Sequence, residues 1–180
     1  MFVVALLSLT GCSRAKPSSL QRFDALRPSL RSVTALSARV GADVAQINSG
    51  MRRDNIGSIE RADGHLGRDA GHLAWLTRMM RARISSLRKT DRKGVVGDYF
   101  DLTLSALAQQ ASEARWAGLL ARTVRQDPLL LSPRSYWAAL AQSRRAAGYA
   151  RASVVFTAMA RVLKDHYRDK FRYVKVINRD

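Results

Sequence analysis

Five apolar residues fall seven positions apart: Ile59, Leu66, Leu73, Met80 and Leu87. Seven residues is close to two helical turns, so on an α-helix these side chains form one line. Ala62, Ala70, Leu76 and Ile84 widen that line into a seam. A second seam precedes it. Leu26, Leu30, Val33, Val40, Val44, Ile47 and Met51 follow a 4-3 spacing, with Ser37 the only polar interruption. Between the seams, Arg52-Arg53-Asp54-Asn55 carries no apolar residue, and Asn48-Ser49-Gly50 before it can end a helix. Two matched seams joined by a polar break predict a coiled-coil-like antiparallel helical hairpin, its first helix running from about Leu26 to Met51. The rival is one long helix with a register slip. Pro28 fits the first turn, where its missing N–H costs nothing.

Gly50, Gly57, Gly64 and Gly71 recur at the same interval. A line of glycines either admits a close neighbour or marks loose helix, since each costs about 1 kcal/mol relative to Ala. Gly50 and Gly57 flank the polar break and read as part of it. The pattern leaves Gly64 and Gly71 open.

The remainder also reads as helix, because Gly and Pro are sparse and no alternating apolar pattern lasts long enough for a sheet. Asp91-Arg92-Lys93-Gly94 is a polar turn. Asp98 then reads as the cap of a helix from Tyr99 to about Gln126, with Phe100, Leu104, Leu107, Ala111, Leu119, Leu120 and Val124 as its apolar positions. Asp101 suits the positive end of that helix. Asp127-Pro128 stops it, and Ser132-Pro133 starts the next. That fourth helix reaches about Ala147, with Tyr136, Trp137 and Leu140 inward. Gly148 separates it from a fifth, Tyr149 to about Lys170, which is apolar enough around Val154-Val155-Phe156 and Met159 to Leu163 to be largely buried. Trp75, Trp116 and Trp137 are spaced as core anchors. Residues 171–177 read as a short extended arm. The expected fold is an all-α bundle: the hairpin plus about three further helices, in one domain over residues 26–180.

The charge is +17, from 31 Lys and Arg against 14 Asp and Glu. It is not spread evenly. Residues 44–77 and 94–143 carry four basic and four acidic side chains each, and are neutral. The excess lies in residues 1–43, in 78–93 (seven basic, one acidic) and in 144–180 (ten basic, three acidic). Unbalanced charge works against a compact state by self-repulsion, so a persistent excess points to an anionic counterpart. Arg78, Arg81, Arg83, Arg88, Lys89, Arg92 and Lys93 form one candidate contact set, and Arg168, Arg172 and Lys175 another. Arg forks suit phosphate. A genome with Arg-rich codon usage gives the same excess without function.

The N-terminus is apolar from Phe2 to Leu7 and then reads Ser8-Leu9-Thr10-Gly11-Cys12. Such a run is too short to cross a bilayer, which takes about 20 residues, and long enough for the apolar part of a signal peptide. Leu9-Thr10-Gly11-Cys12 resembles the lipobox of bacterial lipoproteins, and Cys12 is the only cysteine in the chain. The resemblance covers the first dozen residues. It implies a signal peptide over residues 1–11, cleavage before Cys12, and acyl chains on the Cys12 thiol and amino group. It further implies a membrane-anchored place in the bacterial envelope, the outer membrane in a Gram-negative host given Ser13. The family's leader opens on Lys or Arg, whereas no basic residue precedes Arg14 here. An in-frame start upstream of Met1 is therefore expected. Residues 12–25, polar and containing Pro17, read as a flexible tether. Two acyl chains would hold stably, at about 0.8 kcal/mol per buried methylene.

Catalytic signals are weak. His65, Asp69 and His72 have spacings of four and three and share a helix face, a weak candidate for Zn²⁺. Arg61 and Arg68 nearby disfavour a cation. No GxSxG, Cys–His or phosphate-loop motif occurs. Neither a cofactor nor an enzymatic activity is expected. The sequence thus favours a non-catalytic envelope lipoprotein, anchored at Cys12, whose basic faces meet anionic envelope material or an acidic protein partner. The alternative is a cytosolic helical protein that binds nucleic acid, supported by the interleaved Arg168, Phe171, Arg172, Tyr173 and Lys175.

Overall fold

The computed structural model describes residues 18–91 and 93–171. Its elements are α1 (Ser19–Asp24), α2 (Arg27–Arg52), α3 (Ile56–Thr90), α4 (Val95–Gln126) and α5 (Pro133–His166), followed by a 3-10 turn, Arg168–Phe171. No strand occurs among the described residues. The chain is an all-α bundle.

Consecutive long helices run antiparallel, as the contacts between them show. Gln46 on α2 donates to the Ser58 carbonyl on α3 (3.2 Å), while Arg39 faces Asp69 further along. Arg125 near the end of α4 meets Asp63 near the start of α3, and Arg88 near the end of α3 meets Asp101 near the start of α4. On the next pair, Thr123 meets Gln142 and Arg145 lies over the Trp116 ring. Helix α5 also packs on α2, closing the four-helix arrangement.

The seam of seven-residue steps is the core of α3. Ile59, Leu66, Leu73, Met80 and Leu87 are all buried, with Ala62, Ala70 and Ile84 beside them. Each such large side chain contributes about 1.5–3 kcal/mol on burial. On α2, Val33, Val40, Val44, Ile47 and Met51 are buried, and Leu26 and Leu30 pack at the edge. The polar break forms the turn between the two helices. There the Asn55 side chain caps α3 by accepting from the Ser58 N–H. Gly50 sits where the chain returns: a Cβ on it would lie 2.7 Å from Ile59 Cγ1, so no larger residue fits without a shift. Gly64 and Gly71 have open space around them and admit no close neighbour.

Several expectations need correction. Helix α4 starts at Val95, four residues before Tyr99, with Gly94 rather than Asp98 as its cap. Gly94 has φ 87° and ψ −179°, a region in which only glycine is unstrained. Asp98 lies inside the first turn, where the helix dipole favours it. The fourth and fifth helices are one. Gly148 remains helical, because Ala139, Ser143, Ala146, Ser153 and Ala160 form one buried stripe on both sides of it. That packing offsets the roughly 1 kcal/mol cost of a helical glycine. Helix α1 lies within the stretch read as tether. Ser18 and Gln21 form a capping box, and Phe23 is buried between Tyr99 and Phe100.

The largest correction concerns α5. Only its small-residue stripe is buried, and Val154, Val155, Met159 and Val162 are exposed, as is Arg161. Trp137 and Trp75 are exposed as well, so neither is a core anchor, whereas Tyr136, Leu140 and Trp116 do pack on the core. Apolar content predicted burial, but helical phase places Trp137, Val155, Met159 and Val162 opposite the stripe.

Candidate functional site

Cys12 lies outside the described residues, six positions before Ser18. The structure does fix where the chain arrives from it. The Ser19 hydroxyl donates to the Asp91 carboxylate at the end of α3. Phe23 meets Tyr99 at the start of α4 (centroids 5.3 Å apart), and Tyr99 in turn meets Phe171 beyond the end of α5 (5.2 Å). One end of the bundle therefore gathers α1, the end of α3, the start of α4 and the end of α5.

The basic residues of 78–93 sit toward that end, but not as one face. Arg88 is not an anion contact. Its Nε and Nη2 donate to both oxygens of Asp101 at 2.7 Å, and its Nη1 donates to the Asp91 carbonyl at 2.8 Å. That two-pronged pair holds the Asp101 carboxyl below the usual carboxylate range and pins α3 to α4. Arg78, Arg81, Arg83, Lys89 and Lys93 are exposed. At about 100° per residue, Arg81 lies on the flank toward α4 and Arg83 on the flank toward α2. Arg168 faces Asp165 at 3.9 Å. Arg92, Arg172 and Lys175 lie outside the described residues.

The histidine candidate does not assemble as a metal site. His65 and Asp69 line an open cleft of about 480 Å³ with Arg39, Ala42, Asp43 and Arg68, and His72 is not part of it. His65 Nδ1 is 3.0 Å from Arg68 Nη2, and Asp69 faces Arg39 at 3.6 Å. His72 stacks near Trp75 instead, its ring 5.9 Å away. Among the described residues no three His, Cys, Asp or Glu side chains group to hold a metal. Burial and the neighbouring Asp69 push the Asp43 carboxyl up, against the pull of His65 and Arg39. The cleft is a charge-compensated surface depression.

The most perturbed group lies inside the bundle. Glu113 on α4 is fully buried, and the Ser37 hydroxyl of α2 donates to its Oε2 at 2.6 Å. Its Oε1 has no partner. Burial pushes the carboxyl up to about 7, with the Ser37 hydrogen bond pulling the other way. A serine beside a carboxylate is a combination used in nucleophilic chemistry, but this pair is sealed from solvent. The other buried hydroxyls are spent on their own helices: Thr77 donates to the Leu73 carbonyl, Ser143 to Leu140 and Ser153 to Ala150. A half-buried carboxylate, Asp63, faces Arg125 at 3.5 Å with its Oδ1 unpartnered.

Sequence reasoning marked Ser37 and missed Glu113. A signal was present. The 4-3 spacing Ala106, Gln110, Glu113, Ala117, Leu120, Val124 continues the interior line of α4 straight through two polar residues, and all six are buried.

No family model, curated protein or solved structure matches this chain.

Proposed function

We propose that this chain is a non-catalytic lipoprotein of the bacterial cell envelope, held to a membrane by acyl chains on Cys12, with a basic surface facing anionic envelope material. Leu9-Thr10-Gly11-Cys12 after an apolar run carries this reading. Two features of the bundle support it. The end that receives the chain from Cys12 also bears exposed Lys89 and Lys93 at the close of α3. The interior Ser37–Glu113 pair has no route to a substrate, which favours a binding or structural role. No helix among the described residues is long and apolar enough to cross a membrane. Attachment in this reading rests on the acyl chains, since two such chains suffice for stable anchoring.

Metabolic labelling with radioactive palmitate tests the reading. Wild type is expected to carry label, and Cys12→Ala none. Label retained in Cys12→Ala, or absent from both, would overturn it.

A further inference from the structure

Helix α5 is apolar on two opposite faces. Its buried stripe faces α4 and α2. Its outer face carries Val155, Met159 and Val162, which fall within about 60° of one another at 100° per residue. Val154 is exposed too, about 100° around the helix from Val155. These four are 57%, 49%, 68% and 66% exposed in that order, so no part of the described chain covers them. An uncovered apolar row of this kind marks an interaction surface.

The charges around the row choose the occupant. Arg144 and Arg151 are exposed along the same outer side, within about 40° of Val155 at 100° per residue. The one acidic side chain of α5, Asp165, faces Arg168. A second copy laid face to face would bring these arginines together, so self-association is opposed. An anionic surface is favoured.

Position narrows it further. The row lies in the half of α5 that ends at the anchor end of the bundle, where Phe171 meets Tyr99 and Tyr99 meets Phe23. Val154 is about 18 Å along the helix from His166. The six residues from Cys12 to Ser18 reach about 20 Å when extended. The row and the chain arriving from Cys12 therefore belong to the same end of the bundle. An apolar helix face edged by Arg is the pattern of a helix resting in a lipid headgroup layer.

We propose that the outer face of α5, Val155, Met159 and Val162 with Arg144 and Arg151, docks the bundle lengthwise on the anionic lipid surface that holds Cys12. This inference rests on the anchoring proposed above and gives the anchored protein a fixed orientation. The basic face of the protein thus acts as an orienting contact with anionic lipid rather than a site for a soluble polyanion.

The test uses the full chain with Cys12→Ser, which removes the acylated group and every native thiol. Met159→Cys in this background takes an environment-sensitive dye, and Glu60→Cys, exposed at the start of α3, serves as the control. Vesicles containing phosphatidylglycerol are expected to shift the emission of the dye at 159 to the blue. Phosphatidylcholine vesicles are expected to leave it unchanged, and the dye at 60 should respond to neither. Adding Val155→Asp, at an exposed site that leaves folding intact, should raise the lipid concentration at half-shift by about tenfold or more. A silent dye at 159, an equal response to both vesicles, or no effect of Val155→Asp overturns the docking face. So does a shift that depends on protein concentration without lipid, which would assign the face to a second copy. The background lacks the acylated cysteine, so failure here speaks against the docking face, while failure of palmitate labelling speaks against the anchor.

Discussion

Glu113→Gln is expected to stabilise the protein by about 3 kcal/mol at pH 8 and to leave its stability nearly unchanged at pH 4. The direction follows from the raised carboxyl. In the unfolded chain this group titrates near 4.5, and burial pushes it up to about 7 in the bundle. Below pH 4.5 both states keep the proton and the group carries no penalty. Between 4.5 and 7 the unfolded chain loses the proton first, and stability falls by about 1.4 kcal/mol per pH unit from this group. Above 7 the full penalty of a buried carboxylate with one unpartnered oxygen remains. Glutamine is neutral throughout, and its carbonyl can accept the Ser37 hydroxyl as Glu113 Oε2 does. Urea unfolding at pH 4, 6 and 8 checks this. The wild-type and variant curves should separate as pH rises, and parallel curves would contradict the burial argument. Asp101 and Asp127, both held below the usual carboxylate range, work in the opposite sense. Asp101 is held by the Arg88 pair, and Asp127 by the backbone and hydroxyl bonds of Ser132. Their contribution is present above the ordinary carboxylate value and is lost as pH falls through their lowered ones.

Phe100→Ala is expected to cost about 3–5 kcal/mol, the usual range for emptying a fully buried aromatic site. The Phe100 ring is 0% exposed and lies 5.2 Å from the Phe23 ring, centroid to centroid. Phe23 is the only buried residue of α1, so the vacated space also removes part of the seat of that helix. Helix α1 sets where the chain from Cys12 meets the bundle, so under the proposed anchoring this seat also holds the anchored end. Hydrogen exchange should show the α1 amides losing protection together with a lower denaturation midpoint. Trp137→Ala removes a larger ring but one that is 64% exposed, and should shift stability by about 0.5 kcal/mol or less. If the two variants were equally destabilised, the assignment of core and surface in α4 and α5 would be wrong.

These two positions also show how far the sequence is legible. The interior of α2 and α3 could be read directly, because a seven-residue interval fixes helical phase without knowledge of any partner. The turn at residues 52–55 followed from the same pattern. The α4–α5 junction was equally plain, since Ser132 and Pro133 are local signals, and the Ser132 side chain does accept from the Ser135 N–H. Non-local facts were harder. Ser37 stood out as the one polar break in a seam, but its partner is 76 positions away on a different helix. Nothing local connects the two, although the interior phase of α4 did pass through Glu113. On α5 the failure was of another kind. Its buried side is built of Ala and Ser, while its larger apolar residues point outward, so apolar bulk and burial separate. A reading by bulk put the helix inside and Trp137 in the core. A reading by phase would have found the small-residue stripe and left Val155 and Val162 exposed. Arg88 likewise looked like one basic residue among seven, and only the proximity of Asp101 turns it into a clamp.

The account that results is of a helical bundle brought to a membrane by its N-terminal end and laid against it along α5. Anchoring at Cys12 is the claim on which the orientation depends, and it leaves a direct physical trace in the mass of the protein. Intact mass spectrometry of the protein extracted from the membranes of its own host is the most direct measurement. The account predicts a chain that begins at Cys12, with a mass above that of residues 12–180 by a diacylglycerol group and a further acyl chain. A chain that still carries residues 1–11, or one with a free Cys12 thiol and no added mass, would contradict it.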